Sequence, residues 1–102
     1  MLFVADDGLG VTKYSLVAGS WLANGTVGAA GDTYRGLTAT INAGTVTFFA
    51  TRKVGSKALG GGELVSLVDT SGYNGAFAGT PSLLVSAAAN SAFRGVALAP
   101  SP

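Results

Sequence analysis

One short pattern, an aromatic residue followed by arginine, glycine and an aliphatic residue, occurs twice in this sequence. It reads YRGL at residues 34–37 and FRGV at residues 93–96, which lie 59 positions apart. Two further pairs of segments match in the same order along the chain: residues 2–5 with 47–50 or with 48–51, and residues 13–17 with 64–68. Matched segments in one order indicate an internal duplication, so the fold is expected to be built from repeated units.

The segments between the glycines are short and rich in Val, Leu, Thr, Phe and Ala. Sixteen of the 102 residues are glycine, and short β-type runs separated by turn residues are typical of all-β proteins. The predicted strands are Leu2–Ala5, Val11–Val17, Trp21–Ala23, Gly36–Ile41, Thr45–Thr51, Glu63–Val68, Ser82–Ser86 and Gly95–Ala99. Residues 54–62 are predicted to form a glycine-rich connector. Asn24-Gly25 is a strong signal for a hairpin turn, and Thr26–Ala29 is a candidate continuation of the strand that precedes it.

The second predicted strand alternates in the character of its side chains. Successive residues of a strand point to opposite faces of the sheet. One predicted face carries Val11, Lys13, Ser15 and Val17, and the other carries Thr12, Tyr14 and Leu16.

Each copy of the duplication contains four short strands, the last of which carries the Arg-Gly pattern. A four-stranded antiparallel unit that recurs about every 40–50 residues is typical of a β-propeller blade. We therefore predict an all-β chain of two four-stranded antiparallel blades. Repeat 1 covers about residues 1–44 and repeat 2 about residues 45–102.

The low content of charged residues agrees with this interpretation, because a blade buries both of its faces against neighbouring blades. Charged residues make up 11% of the chain, against about 25% in an average globular protein. The net charge of +1 gives no electrostatic basis for binding nucleic acid or an anionic membrane. No run reaches the roughly 18 apolar residues that a membrane-spanning helix needs.

The chain has neither cysteine nor histidine. Their absence excludes disulfides, thiolate metal sites and every catalytic triad that contains histidine. The adjacent Asp6 and Asp7 are interpreted as part of a turn with Gly8 rather than as a calcium site. We therefore predict no enzymatic activity, no cofactor and no metal site.

Two stretches resemble a known family. Leu2-Phe3-Val4-Ala5-Asp6-Asp7-Gly8, followed by Val11-Thr12-Lys13-Tyr14, resembles the core of NHL-type and YncE-type propeller blades. Phe93-Arg94-Gly95-Val96-Ala97-Leu98-Ala99-Pro100 resembles the segment that opens such blades on the innermost strand. The resemblance implies a propeller fold, and it suggests relatives among extracellular or surface proteins of bacteria. The residues themselves leave the cellular compartment open.

Two blades leave two apolar faces uncovered, whereas propellers close with about four to eight blades. The chain is therefore expected either to be a piece of a longer propeller or to close a ring with copies of itself. The order of strands begins with the second strand of a blade and ends with a first strand, which predicts exchange of the last strand onto Leu2–Val4 of the next copy. The resemblance implies six blades and hence a homotrimer, with an eight-bladed homotetramer as the alternative.

Four residues are candidates for facing a ligand. Arg35 and Arg94, multiplied by symmetry, could form a basic ring that binds anions, or each could pair with a carboxylate between blades. Trp21 and Tyr73 could be stacking platforms for a glycan, or they could pack within the sheets. The predicted function is that of a structural, self-assembling propeller unit, and the alternative is a lectin-like or peptide-binding module.

Overall fold

The computed structural model describes residues 1–53, 62–88 and 91–100. Within them the chain is all-β, apart from one 3-10 turn at Ala30–Asp32. The strands are β1 (Leu2–Asp6), β2 (Gly10–Val17), β3 (Ser20–Val27), β4 (Tyr34–Asn42), β5 (Thr45–Arg52), β6 (Glu63–Asp69) and β7 (Ser82–Ser86). The all-β prediction is confirmed. Most of the predicted connector, residues 54–61, lies outside the described residues.

The strands form two antiparallel sheets, one in the order β1-β2-β3 and the other in the order β4-β5-β6-β7. The first sheet was expected to have four strands but has three, because the strand expected to be its fourth, β4, pairs with β5 in the second sheet. A two-residue turn joins β4 to β5, so this pairing closes almost no loop, whereas pairing with the first sheet would need a longer return. The sheets divide the chain between Val27 and Tyr34; the repeat boundary after residue 44 stays a prediction.

Two hairpin turns have the same geometry. Ala18-Gly19 and Ala43-Gly44 both have positive φ at each residue, 50° and 82° in the first and 51° and 82° in the second. Positive φ at both central residues is the mark of the turn whose twist suits a two-residue hairpin.

The predicted hairpin at Asn24-Gly25 was wrong, because β3 continues through both residues. The register of β3 against β2 shifts between Lys13 and Tyr14, so β3 carries a bulge at this point. Gly25 has φ +129° and its Cα lies against the carbonyl of Phe77, while the amide of Phe77 donates to the carbonyl of Asn24 at 2.9 Å. The glycine is needed for close approach of a second chain segment rather than for a turn.

The core lies between the two sheets. Its centre is a cluster of three rings, with centroids 4.4 Å apart for Phe3 and Phe48, 5.4 Å for Phe3 and Phe77, and 5.8 Å for Phe48 and Phe77. Val11 and Val27 from the first sheet and aliphatic residues from the second surround it. Each sheet therefore turns one face inward and one face outward.

The predicted strand Gly95–Ala99 does not form. Residues 91–100 have no regular structure, and they lie on the outward side of the second sheet. The Thr51 hydroxyl donates to the Arg94 carbonyl at 3.2 Å. This contact is thus with a side chain of the sheet and not with a strand edge, so the segment makes no ladder of backbone hydrogen bonds.

Candidate functional site

The outer face of the first sheet carries exposed apolar side chains. Residues directly opposite each other on paired strands share a face. The register places on this face Leu2, Val4, Thr12, Tyr14, Leu16, Trp21, Ala23 and Thr26, of which Thr12 is buried. Leu2 is 46% exposed, Leu16 46% and Trp21 53%. None of the eight is charged, so this is the kind of surface that marks an interaction site.

The outer face of the second sheet is also uncharged, but it is richer in hydroxyl groups. The register places on it Thr38, Thr40, Thr47, Phe49, Thr51, Leu64, Ser66, Val68 and Val85. Val68 is 51% exposed and Val85 46% exposed. The two outer faces lie on opposite sides of the molecule and differ in character.

The two copies of the Arg-Gly pattern touch each other. Gly36 of the first copy lies against Arg94 and Gly95 of the second, so closely that a Cβ at Gly36 would be 3.1 Å from both the Arg94 carbonyl oxygen and the Gly95 Cα. The Gly36 amide also donates to Thr51 Oγ1 at 3.0 Å, and the same hydroxyl donates to Arg94. Glycine at this position therefore permits the contact between the two motif copies.

This contact also brings the backbones of Arg35 and Arg94 close together. Both arginines are exposed. The Arg35 Nε lies 3.8 Å from Asp7 Oδ1, with side chains 37% and 67% exposed, a weak surface ion pair that joins β4 to the turn after β1. Arg35 thus has a carboxylate partner, in line with the second interpretation offered for it.

Trp21 and Tyr73 both lie beside Leu16. Trp21 is opposite Leu16 in the register of β2 and β3, and the Tyr73 hydroxyl donates to the Leu16 carbonyl at 2.5 Å. Tyr73 is 62% exposed. The structure therefore places both aromatic candidates at the same end of the first sheet with their rings accessible.

The main feature that the sequence analysis missed is a buried lysine. Lys13 is fully buried on the inner face of β2, and its Nζ lies among oxygen atoms of residues 69–75, named here the cradle loop. Nζ donates to Ser71 Oγ at 2.7 Å, to the Gly72 carbonyl at 2.5 Å and to the Gly75 carbonyl at 3.0 Å. It also lies 3.1 Å from Asp69 Oδ2. The sequence did hold a signal, because the alternation predicted Lys13 on the same face as Val11.

Asp69 is held as a carboxylate. Burial works to raise its pKa, but hydrogen bonds from the Ser71 hydroxyl and amide, together with Lys13, outweigh burial and leave the pKa below its ordinary value. Asp69 Oδ2 has no hydrogen-bond partner even though Nζ is close. The ammonium group has three hydrogens for four nearby oxygens, and attraction between opposite charges acts across the 3.1 Å between Nζ and Oδ2.

Further hydrogen bonds fix the cradle loop to the first sheet. The Asn74 amide donates to Ser15 Oγ at 3.0 Å, Ser15 Oγ donates to Asn24 Oδ1 at 2.5 Å, and Asn24 Nδ2 donates to Asn74 Oδ1 at 2.9 Å. Residues of three separate segments are thereby joined. The loop that presents Tyr73 is positioned by β2 and β3 although it belongs to the second sheet.

A second buried ion pair lies within the second sheet. Arg52 donates from Nε and Nη2 to Glu63 Oε1 at 2.9 and 2.6 Å, and from Nη1 to the Tyr34 hydroxyl at 3.2 Å. Asp32 Oδ2 lies 3.6 Å from Nη1. Burial raises the pKa of Tyr34 although Arg52 opposes the shift. This cluster ties together the ends of β4, β5 and β6.

The cavity between the two sheets is too small for a ligand. That void measures about 10 Å³ and is lined by apolar side chains, among them Val27, Phe48 and Phe77, so it holds one water molecule at most. No group of three acidic side chains comes together as a metal site in the described part of the chain. None of its helices is long and apolar enough to cross a membrane.

Comparison of the chain with protein-family models, with curated proteins and with solved structures finds no match.

Proposed function

We propose that this chain is a structural module that self-associates to complete a β-propeller ring and has no catalytic activity. The observation that carries the proposal is the pair of uncharged outer faces, one on each sheet. An exposed sheet face with half-exposed leucine, valine and tryptophan gains free energy when a second sheet covers it. A second copy of this chain supplies such a sheet.

The two outer faces differ, so the contact joins the first sheet of one copy to the second sheet of the next. Such a heterologous contact repeats around an axis and closes into a ring when the rotation allows it. Three copies give six blades, the number implied by the resemblance to NHL-type blades, and four copies give eight. We propose the trimer and keep the tetramer as the alternative.

The duplication also suggests which strand is exchanged. The first Arg-Gly copy lies in β4 and pairs with β5, and residues 47–50 of β5 match residues 2–5 of β1. The second Arg-Gly copy should therefore pair with a β1 edge. In its own chain it lies on the second sheet, against Gly36, so the β1 edge comes from another copy.

The register follows from the same equivalence. Leu37 pairs with Ala50, and Leu37 and Ala50 correspond to Val96 and Ala5. In the ring, Val96 of one copy lies opposite Ala5 of the next. This pairing buries the free edge of β1 and gives residues 95–99 the hydrogen bonds that they lack in one chain.

The mass of the chain in solution tests the assembly. Light scattering at micromolar concentration should give three times the 10.0 kDa of one chain, or four times for the alternative. Leu16→Lys places a charge on the outer face of the first sheet and should yield monomers. Ile41→Lys is the matched control, because Ile41 is 72% exposed but lies on neither outer face. A monomeric parent chain would overturn the proposal.

Cysteine cross-linking tests the exchanged strand, and the chain has no cysteine of its own. Ala5→Cys combined with Val96→Cys should form disulfides between chains, since opposite residues have their Cβ atoms within reach of a disulfide. Ala5→Cys combined with Ala97→Cys is the control, because Ala97 would point to the other face. Equal cross-linking of both pairs, or cross-links within one chain, would contradict the register.

A second candidate function is ligand binding by a lectin-like module, and the position of two aromatic rings favours it. Trp21 and Tyr73 are both exposed and both contact or pair with Leu16, and stacking on exposed aromatic rings is a common way to bind sugars. A glycan array should then show binding that is lost in Trp21→Ala and Tyr73→Ala. An array without binding supports the structural role alone.

A further inference from the structure

We propose that the cradle loop is a binding site for a monovalent cation, and that the chain fills this site with its own Lys13 ammonium group. The inference concerns a single chain and holds whether or not the chain assembles. It explains why a lysine is fully buried between two sheets, where an unpaired charge would be strongly destabilising.

The oxygen atoms around Nζ are arranged as they would be around a small cation. Four oxygens lie between 2.5 and 3.1 Å from Nζ: Asp69 Oδ2, Ser71 Oγ, and the carbonyl oxygens of Gly72 and Gly75. An ammonium group has only three hydrogens, yet four oxygens surround it. The single carboxylate among them balances one positive charge.

The backbone of the loop turns its carbonyl groups toward this point. Gly72 has φ +76° and Asn74 has φ +55°, both in the left-handed region that favours glycine and tolerates asparagine. A Cβ on Gly75 would collide with the carbonyl of Ser71. The sequence of the loop thus permits a tight turn whose oxygens point inward.

The dimensions favour a monovalent ion of the size of ammonium over calcium. Calcium takes six to eight oxygens at about 2.3–2.6 Å, usually with several carboxylates. The loop gives one carboxylate, two carbonyls and one hydroxyl, at longer distances. The expected free ligands of a vacated site are therefore ammonium, primary alkylammonium ions and potassium.

The parent protein gives the first test. In a ¹H–¹⁵N spectrum that selects lysine ammonium groups, Lys13 should show a resolved signal whose hydrogens exchange with water far more slowly than those of Lys53, which is exposed. Couplings from the Lys13 nitrogen to the carbonyl carbons of Gly72 and Gly75 would identify the acceptors. Exchange as fast as that of Lys53 would overturn the proposal.

Replacement of the ligand gives the second test. Lys13→Ala removes a fragment with the shape of n-propylammonium, which should bind the vacated site. At ten times its dissociation constant it should raise the ratio of folded to unfolded protein about tenfold, whereas tetramethylammonium at equal ionic strength should not. The double variant Lys13→Ala, Asp69→Asn should lose this response. Equal effects of the two ions would overturn the proposal, and if Lys13→Ala does not fold, the spectrum of the parent protein decides.

Discussion

Between the two sheets lie a fully buried lysine and a fully buried glutamate, whereas the outer faces carry half-exposed leucine, valine and tryptophan. Lys13 and Glu63 are each 0% exposed, but Leu16 is 46% and Val68 51% exposed. Charged residues are almost never fully buried unless they are paired. The buried charges of the inner interface are thus paired, whereas the outer faces carry uncharged side chains, several of them about half exposed.

The two charge pairs of the inner interface connect different parts of the fold. Lys13 and Asp69 come from different sheets and are 56 residues apart, so their contact fixes one sheet against the other. Arg52 and Glu63 face each other on neighbouring strands of one sheet. The first pair therefore holds the two sheets against each other, and the second connects the ends of three strands within one sheet.

Removing the lysine should have the largest effect on stability. Lys13→Met keeps much of the apolar stem but leaves Asp69 buried without its cation, which should lower the free energy of unfolding by about 3–5 kcal/mol. Urea denaturation measures the loss. The double variant Lys13→Met, Asp69→Asn should recover part of it, and a loss below about 1 kcal/mol would show that the pair does not hold the sheets together.

Loss of the Arg52–Glu63 pair, which lies within one sheet, should lower the free energy of unfolding by a smaller amount. Glu63→Gln removes the charge that faces Arg52, but Arg52 keeps its contacts with Tyr34 and Asp32, so we expect a loss of about 2–3 kcal/mol. The same denaturation experiment checks the ranking. A larger loss for Glu63→Gln than for Lys13→Met would reverse the comparison.

Substitutions of two valines on β6 allow a direct comparison of the inner face with the outer face. Val65 is 2% exposed and Val68 is 51% exposed, and the two point to opposite faces of the same strand. Val65→Ala should cost about 2 kcal/mol from lost burial and the cavity left behind. Val68→Ala should change the stability of the monomer by less than about 0.5 kcal/mol and should weaken the assembly. Equal losses in a monomeric background would mean that the outer face is already covered within one chain.

The charge of Asp69 should also make the stability depend on pH. Its pKa is lowered from the ordinary value of 3.8 in the folded state. Its contribution to stability is therefore complete above that value and is lost as the pH falls through the lower folded pKa. Thermal unfolding measured between pH 5 and about pH 2 should show this loss, and Asp69→Asn should flatten the curve. An unchanged curve in Asp69→Asn would assign the acid sensitivity to another carboxyl group.

Local pattern was enough to locate seven of the eight predicted strands and to orient one of them. Ser82–Ser86 forms a strand with the predicted bounds, and on β2 the alternation put Val11 and Lys13 inward and Leu16 outward, as observed. Successive side chains of a strand must point to opposite sides, so this information is present in neighbouring residues. The low content of charged residues and the two copies of the Arg-Gly pattern are likewise read from the sequence alone.

Tertiary structure decided the features that depend on distant partners. Asn24-Gly25 became a bulge because Phe77 approaches it, and β4 joined the second sheet because β5 is its nearest partner. Residues 95–99 formed no strand, since the neighbouring Arg94 carbonyl meets the Thr51 hydroxyl instead of a strand edge. The oxygen atoms that contact the Lys13 ammonium group belong to residues 56 to 62 positions further along the chain. A backbone pattern sets how a strand presents its side chains, but which groups meet them depends on which surfaces the folded chain brings together.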